Sequence, residues 1–371
     1  MWQESSEDNK PLRTGLTTGT CATACAIAAA HYLLANTQLT VASVTLPKGK
    51  TVELTVSIDS INHSVVASTI KDAGDDPDAT HGARVFVELT LRPNPTITFA
   101  AAKGVGTITR DGLLLPVGEP AINPVPRKMI EDNLSQFAQQ QNYDGGFHVA
   151  IGIENGEQIA QKTMNPRLGI IGGLSILGTT GIVRPFSCAA WIASIHQGID
   201  VAYANGLEHI AASTGNSSEQ LVKDKYNLSD MALIEMGDFA GAVLKHIKKV
   251  PVKQLSFCGG FGKITKLANG HMDLNSRVSS IDFSHMAELA TSLGADKALQ
   301  EKILQSNTSI EAYKHCLAAN IDLAAIMCEQ ALAVIRKRIP HTTAVEVLAI
   351  NRQGELIASS TDSAVFNTVS H

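Results

Sequence analysis

The chain has 371 residues, of which 44% are hydrophobic, 18% charged and 5% aromatic, with a formal net charge of −5. This supplies apolar material for two packed cores, while the acidic balance and scarce rings speak against a basic nucleic-acid surface or a base-stacking platform. The polar start, MWQESSEDNK, lacks the features of a secretory signal, and no apolar run reaches the roughly 18 residues of a membrane span, so a soluble cytoplasmic protein is expected.

Residues 16–35 predict an alanine-rich helix, apolar nearly all round and therefore buried, opened by Thr17 or Thr18 as its cap. Alternating or β-branched runs at 40–46, 51–58, 63–70 and 84–91 predict an antiparallel sheet, cut by turns such as Pro47-Lys48-Gly49-Lys50. Further strands are expected at 96–100 and 147–153, and helices at 129–141 and 188–204. Helices at both ends with strands between them make 1–204 an α+β first domain. From residue 205 strand and helix alternate, with strands at 209–213, 231–235, 253–257 and 344–350 and helices from 219–226 to 322–338. That order predicts a Rossmann-like α/β second domain over 205–371, built on a small parallel sheet.

Three glycine-containing turns fall at strand-to-helix junctions of the second domain: Thr214-Gly215-Asn216, Met236-Gly237-Asp238 and Gly259-Gly260-Phe261-Gly262-Lys263. Open α/β sheets bind ligands beyond the carboxyl ends of their strands, where helix N-termini offer free N–H groups. These residues are therefore the expected nucleoside-cofactor pocket. Glu235 and Asp238 are the candidate carboxylates for ribose hydroxyls, with helix capping as the competing role of Asp238.

The first domain has its own glycine-rich stretch over 165–187, NPRLGIIGGLSILGTTGIVRPFS, with Arg167 and Arg184 as isolated charges. It suits either an extended loop lining a ligand with its backbone or a buried hairpin with satisfied arginines. Thr14 to Cys21 is chemically an anion site or a simple capped helix start. Cys21 and Cys25 share a helix face and read as core, and the six cysteines, without a CxxC pair, as reduced thiols. Residues 71–82 concentrate Asp72, Asp75, Asp76, Asp78 and His81, but not at EF-hand spacing, so a solvated loop of Asx turns is expected. With no HExxH or similar pattern, no protein-bound metal is expected. Basic residues beside glycines, at 103–106, 110–112 and 127–128, suit a ligand bearing several carboxylates or plain surface turns.

Seven segments carry a closer identification: LRTGLTTGTCATAC (12–25), KDAGDDPDATHG (71–82), KGVGTITRDGL (103–113), GEPAINPVPRKMI (118–130), the 165–187 stretch, GDFAG (237–241) and GKITKLANGHMDLNSR (262–277). In this order they resemble the cobalt-precorrin-5B C-1 methyltransferase family (CbiD type) of anaerobic cobalamin synthesis. The resemblance implies methylation of C-1 of cobalt-precorrin-5B by S-adenosylmethionine to give cobalt-precorrin-6A, with cobalt arriving inside the substrate. The tetrapyrrole is then expected on the first domain, against Arg13, Thr17, Thr18, Arg127, Arg167, Thr179, Thr180 and Arg184. S-adenosylmethionine is expected on the second, at Thr214, Gly215, Asn216, Glu235, Gly237, Asp238, Gly259, Gly260 and Gly262, with the reacting atoms meeting where the domains adjoin. The sulfonium is already an activated donor, so alignment and exclusion of water suffice and no catalytic acid or base is assigned. A non-catalytic tetrapyrrole carrier and a small-molecule kinase are the rival classes; the first needs no cofactor pocket, and the second needs a phosphate loop that the sequence lacks. Oligomeric state is left open.

Overall fold

The computed structural model describes residues 11–61 and 64–367. The expectations for the first ten residues and for residue 63 lie outside them. The chain divides into two compact units, Met1–Ser187 and Cys188–His371.

In the first unit, helix α1 (Thr18–Ala35) is capped by Thr17, whose hydroxyl accepts from the Thr20 N–H at 3.2 Å. All of its residues from Thr18 to Ala30 are buried. Small side chains on every face let neighbours approach from all sides, which a helix with one apolar stripe does not allow. By length and composition α1 does pass as a membrane span, against the sequence expectation, but 72% of it is buried within the protein. Alanines and cysteines raise its mean hydropathy without forming a run of large apolar residues. A core helix meets the same criterion.

Five strands form the sheet under α1: β3 (Ser57–Ile61), β4 (Ser64–Ile70), β5 (Arg84–Arg92), β6 (Ile97–Ala101) and β7 (Gly146–Ile153), in the order β3-β4-β5-β7-β6. All pairings are antiparallel except β7 with β6. The run at 51–58 is not one strand. Its first part, β2 (Thr51–Thr55), pairs with β1 (Val41–Thr45) in a separate hairpin, and its end opens β3. The helix expected at 129–141 starts earlier as α2 (Pro124–Gln140), because prolines suit the first helical turn.

The second unit opens with α3 (Cys188–Ala204), whose buried residues Ile195, Ile199 and Ala202 pack with Ile234, Val243 and Leu244. The sequence placed this helix at the end of the first domain, with a boundary after residue 204; its apolar face puts it at the head of the second unit. There follow β8 (His209–Ser213), α4 (Asn216–Tyr226), β9 (Leu233–Glu235), α5 (Ala240–Ile247), β10 (Gln254–Gly260) and α6 (Phe261–Ala268). Four helices, α7 (Phe283–Ser292) to α10 (Leu323–Arg336), precede β11 (Ala344–Ile350) and β12 (Leu356–Thr361). The sheet order is β9-β8-β10-β11-β12, parallel except for β12, which the sequence reading missed. The result is a five-stranded mixed sheet. The larger core lies on the α3, α5 and α10 face, and a smaller one of Ala211, Val222, Leu233, Cys258, Leu348 and Ile350 lies under α4.

Beside that smaller core, Glu346 of β11 is 3% exposed and accepts from Lys225 Nζ at 3.0 Å, from the Tyr226 hydroxyl and from Ser256 Oγ at 3.3 Å. His209 Nε2 completes the network against Ser256 Oγ at 2.9 Å. Burial, and then the Lys225 charge, push the His209 imidazole down to about 4 from 6.5. The folded state therefore binds this proton less well than the unfolded chain does, and stability is lost as pH falls from about 6.5 toward about 4. We expect His209→Gln to flatten that limb by up to about 3 kcal/mol relative to the unmodified protein. Parallel pH–stability profiles in urea would contradict the assignment.

Candidate functional site

The chain leaves β8 toward β9 on one side and returns to β10 on the other, so the strand order reverses between β8 and β10. Ligands of open α/β sheets bind beyond the carboxyl ends of the strands at such a point. There the Thr214 N–H donates to Cys258 O at 3.1 Å, tying the first turn to the third. A Cβ on Gly259 would come within 2.8 Å of Thr214 Cγ2, so this glycine serves the packing of two turns. Gly262 lies close to Ser309 Oγ in the same way, 3.1 Å from where its Cβ would sit. At Gly215 and Gly260, in contrast, an added Cβ would meet nothing within 4 Å. These two positions leave room for a ligand to reach the backbone.

Gly237 takes a left-handed φ of +56° and is backed by the Trp191 ring, about 3.5 Å from its added Cβ. The Trp191 Nε1–H donates to Glu235 O at 3.2 Å. The two carboxylates of this turn differ. Asp238 accepts from Lys263 Nζ through Oδ1 and from Asn275 Nδ2 through Oδ2 at 3.2 Å. It does not cap α5, whose N-cap residue is Phe239 with no side-chain cap bond. Glu235, half-buried at the end of β9, has no side-chain partner among the described residues. Lys263 and the buried Lys266 both donate to Leu274 O, at 3.0 and 3.1 Å. Burial, and then the neighbouring Lys263 charge, lower the Lys266 ammonium below its ordinary range. Asn216 opens α4, and Ser218 Oγ both donates to Gly215 O at 2.7 Å and accepts from its N–H at 3.1 Å.

In the first unit the 165–187 stretch gathers the other motif segments. Ile170–Ile171 pairs with Thr107–Ile108, Gly173–Leu174 with Gly104–Val105, and Ile182–Val183 with Gly15–Leu16. Ile176 bridges Ile122, and the Phe186 N–H donates to Asp76 Oδ1 at 2.8 Å. Much of its backbone is thereby spent on neighbouring segments. The α1 start is engaged likewise, and capping describes it. The Gly19 N–H donates to Leu177 O at 3.0 Å, the Thr18 hydroxyl accepts from the Leu177 N–H at 2.9 Å, and Thr20 Oγ1 donates to Gly181 O at 2.8 Å.

Thr180 turns back on its own loop, its hydroxyl donating to Ile182 O at 3.2 Å. Arg13 forms a two-pronged pair with Asp72, whose carboxyl this guanidinium, with the Gly74 N–H, holds down to about 2. Arg127 donates to Ile122 O and Glu119 Oε2, both at 2.8 Å, and fastens the 119–122 segment. Arg167 is engaged as well. Thr179 and Arg184 are exposed, and Arg184 has no ion pair among the described residues.

The Asp-rich loop contains Asx turns, at Asp72 to Gly74 and Asp78 to Thr80, but it is not merely solvated. Lys71, 1% exposed, donates to Asp78 Oδ2 at 2.7 Å. Sequence reasoning missed Lys71, and it also missed Ser213, Trp191, Lys266 and Asn275. Only GKITKLANGHMDLNSR (262–277) carried a signal for the last two.

The family described as CbiD matches residues 5–185, and the CbiD C-terminal domain matches 273–361. The chain is 62% identical over 376 residues to the cobalt-precorrin-5B C(1)-methyltransferase of a Marinomonas species, covering 98% of each chain. To the protein of that name from Pseudomonas syringae pv. tomato it is 56% identical, over 97% of this chain and 98% of the relative. A crystal structure of the cobalamin biosynthesis protein cbiD from Archaeoglobus fulgidus is 28% identical, covering 68% of this chain and 78% of that one, with a TM-score of 0.38.

Proposed function

The chain belongs to the CbiD family, and from that premise we propose that it transfers a methyl group from S-adenosylmethionine to C-1 of cobalt-precorrin-5B. The observation that carries this reading is near-complete coverage by relatives of that name, at 62% and 56% identity. We read the second unit as Rossmann-like and assign the methyl donor to its strand ends at the β8/β10 reversal. Support comes from the open backbone at Gly215 and Gly260 and the uncommitted carboxylate of Glu235, a cradle that fits a nucleoside. The donor supplies an activated methyl group when bound. Glu235 accepts from its ribose hydroxyls, while Asp238 holds Lys263 and Asn275 and so keeps the 273–275 loop beside the turn.

The tetrapyrrole, with cobalt as part of the substrate, is assigned to the first unit. Of the residues expected to touch it, Arg184 and Thr179 are exposed and have no side-chain partner among the described residues, whereas Arg13 and Arg127 already hold carboxylates of the chain. Positioning carries the chemistry, since the donor is activated and the ring carbon electron-rich. Purified protein given cobalt-precorrin-5B and S-adenosylmethionine without oxygen should yield a product heavier by one methyl group, with S-adenosylhomocysteine. Folded protein that produces neither would refute the activity.

A further inference from the structure

Ser213, the last residue of β8, is 1% exposed, yet its hydroxyl has no hydrogen-bond partner. Taking a hydroxyl out of water without a partner is unfavourable, so an orphan at a strand end beside a ligand cradle calls for a reason. The register pairs Ser213 with Glu235 of β9 on one side and with Cys258 of β10 on the other. Paired residues of a sheet project to the same face, here the face of Ala211, Leu233 and Cys258 under α4. The Cys258 thiol is a poor partner, since burial pushes it up to about 12 and keeps it neutral. Glu235 is the opposite case, an acceptor with no donor among the described residues. The residues that carry an unspent donor and an unspent acceptor thus stand side by side in register on strands about 4.8 Å apart.

We propose that Ser213 is a positioning residue whose hydroxyl donates to the Glu235 carboxylate and aims it at the ribose of the methyl donor. This rests on the assignment of the donor to the second unit. A carboxylate at a strand end rotates about several bonds, and one buried hydroxyl on its flank removes that freedom when the ligand takes its other lone pairs. Burial does not count against the role, because the hydroxyl acts on Glu235 and not on the ligand. The ligand-free protein carries the unpaired hydroxyl as a local cost.

Calorimetric titration of the full chain with S-adenosylhomocysteine tests this as a cycle of Ser213→Ala, Glu235→Gln and the double variant. Ser213→Ala should weaken binding about tenfold, and should add less than twofold once Glu235 is already Gln. The thermal midpoint of ligand-free Ser213→Ala should be unchanged or raised, because an unsatisfied buried hydroxyl is removed. Binding by Ser213→Ala equal to that of the unmodified protein would overturn the proposal. So would an equal loss in both backgrounds, which would mean direct contact with the ligand, or a fall in midpoint that tracks the lost affinity. An unmodified protein that gives no heat with S-adenosylhomocysteine would remove the donor site from this unit, and the proposal with it.

Discussion

Replacing Asp78 by alanine is expected to destabilise the first unit by about 3–5 kcal/mol, the scale of a buried charge left without its partner. Lys71 is 1% exposed, and its ammonium donates to Asp78 Oδ2 at 2.7 Å. Asp78 also accepts from the Thr80 N–H and hydroxyl at 2.7 and 2.6 Å. Burial alone would raise the Asp78 pKa, but the Lys71 charge and the hydrogen bonds from Lys71 and Thr80 outweigh it and hold the carboxyl low. The stabilisation is therefore present above the ordinary carboxylate range and is lost as pH falls through the lower folded value. Lys71→Met should cost much less, since it removes the charge that needs a partner. Equilibrium unfolding in urea at neutral pH compares the two. Losses below about 1 kcal/mol for Asp78→Ala would mean that Lys71 escapes to water and the pair is a surface one.

Glu235→Gln is expected to weaken S-adenosylhomocysteine by about 10–100-fold, the range for losing charge-assisted hydrogen bonds to a ligand. Asp238→Asn should behave differently although only three residues separate the two. Its carboxylate holds Lys263 and Asn275, so its loss should appear first in the stability of the second unit. Arg184→Ala should leave the affinity for S-adenosylhomocysteine near normal and weaken the tetrapyrrole. Titration of each variant with each ligand, beside a melting curve, checks the division. If Asp238→Asn loses the donor at full stability while Glu235→Gln binds normally, the two carboxylates exchange roles. If Arg184→Ala chiefly weakens S-adenosylhomocysteine, the two ligands exchange units.

The alternation of strand and helix after residue 205 was legible because it is a local pattern, and so were the alanine-rich α1 and the family-bearing segments. Local pattern also explains two errors. The 51–58 run is β-branched throughout, and nothing in it marks the point near Val56 where the chain passes from one sheet to another. The apolar face of α3 is plain in sequence, but which core it enters depends on Ile234 and Val243, some forty residues on.

The candidate site divides in the same way. Sequence by itself determined which residues lie at the strand ends, and hence Glu235, Asp238 and the glycines of the three turns. Only the tertiary structure decided which of those polar groups are already spent. Asp238 meets Asn275 across 37 positions and Arg13 meets Asp72 across 59, while Thr18 and Leu177 are 159 apart. A side chain's propensity is written in its own neighbourhood, whereas the partner that satisfies or orphans its polar atoms is supplied by packing. For that reason Ser213, one more small residue in an apolar strand, carried no signal until its unpaired hydroxyl was seen beside Glu235.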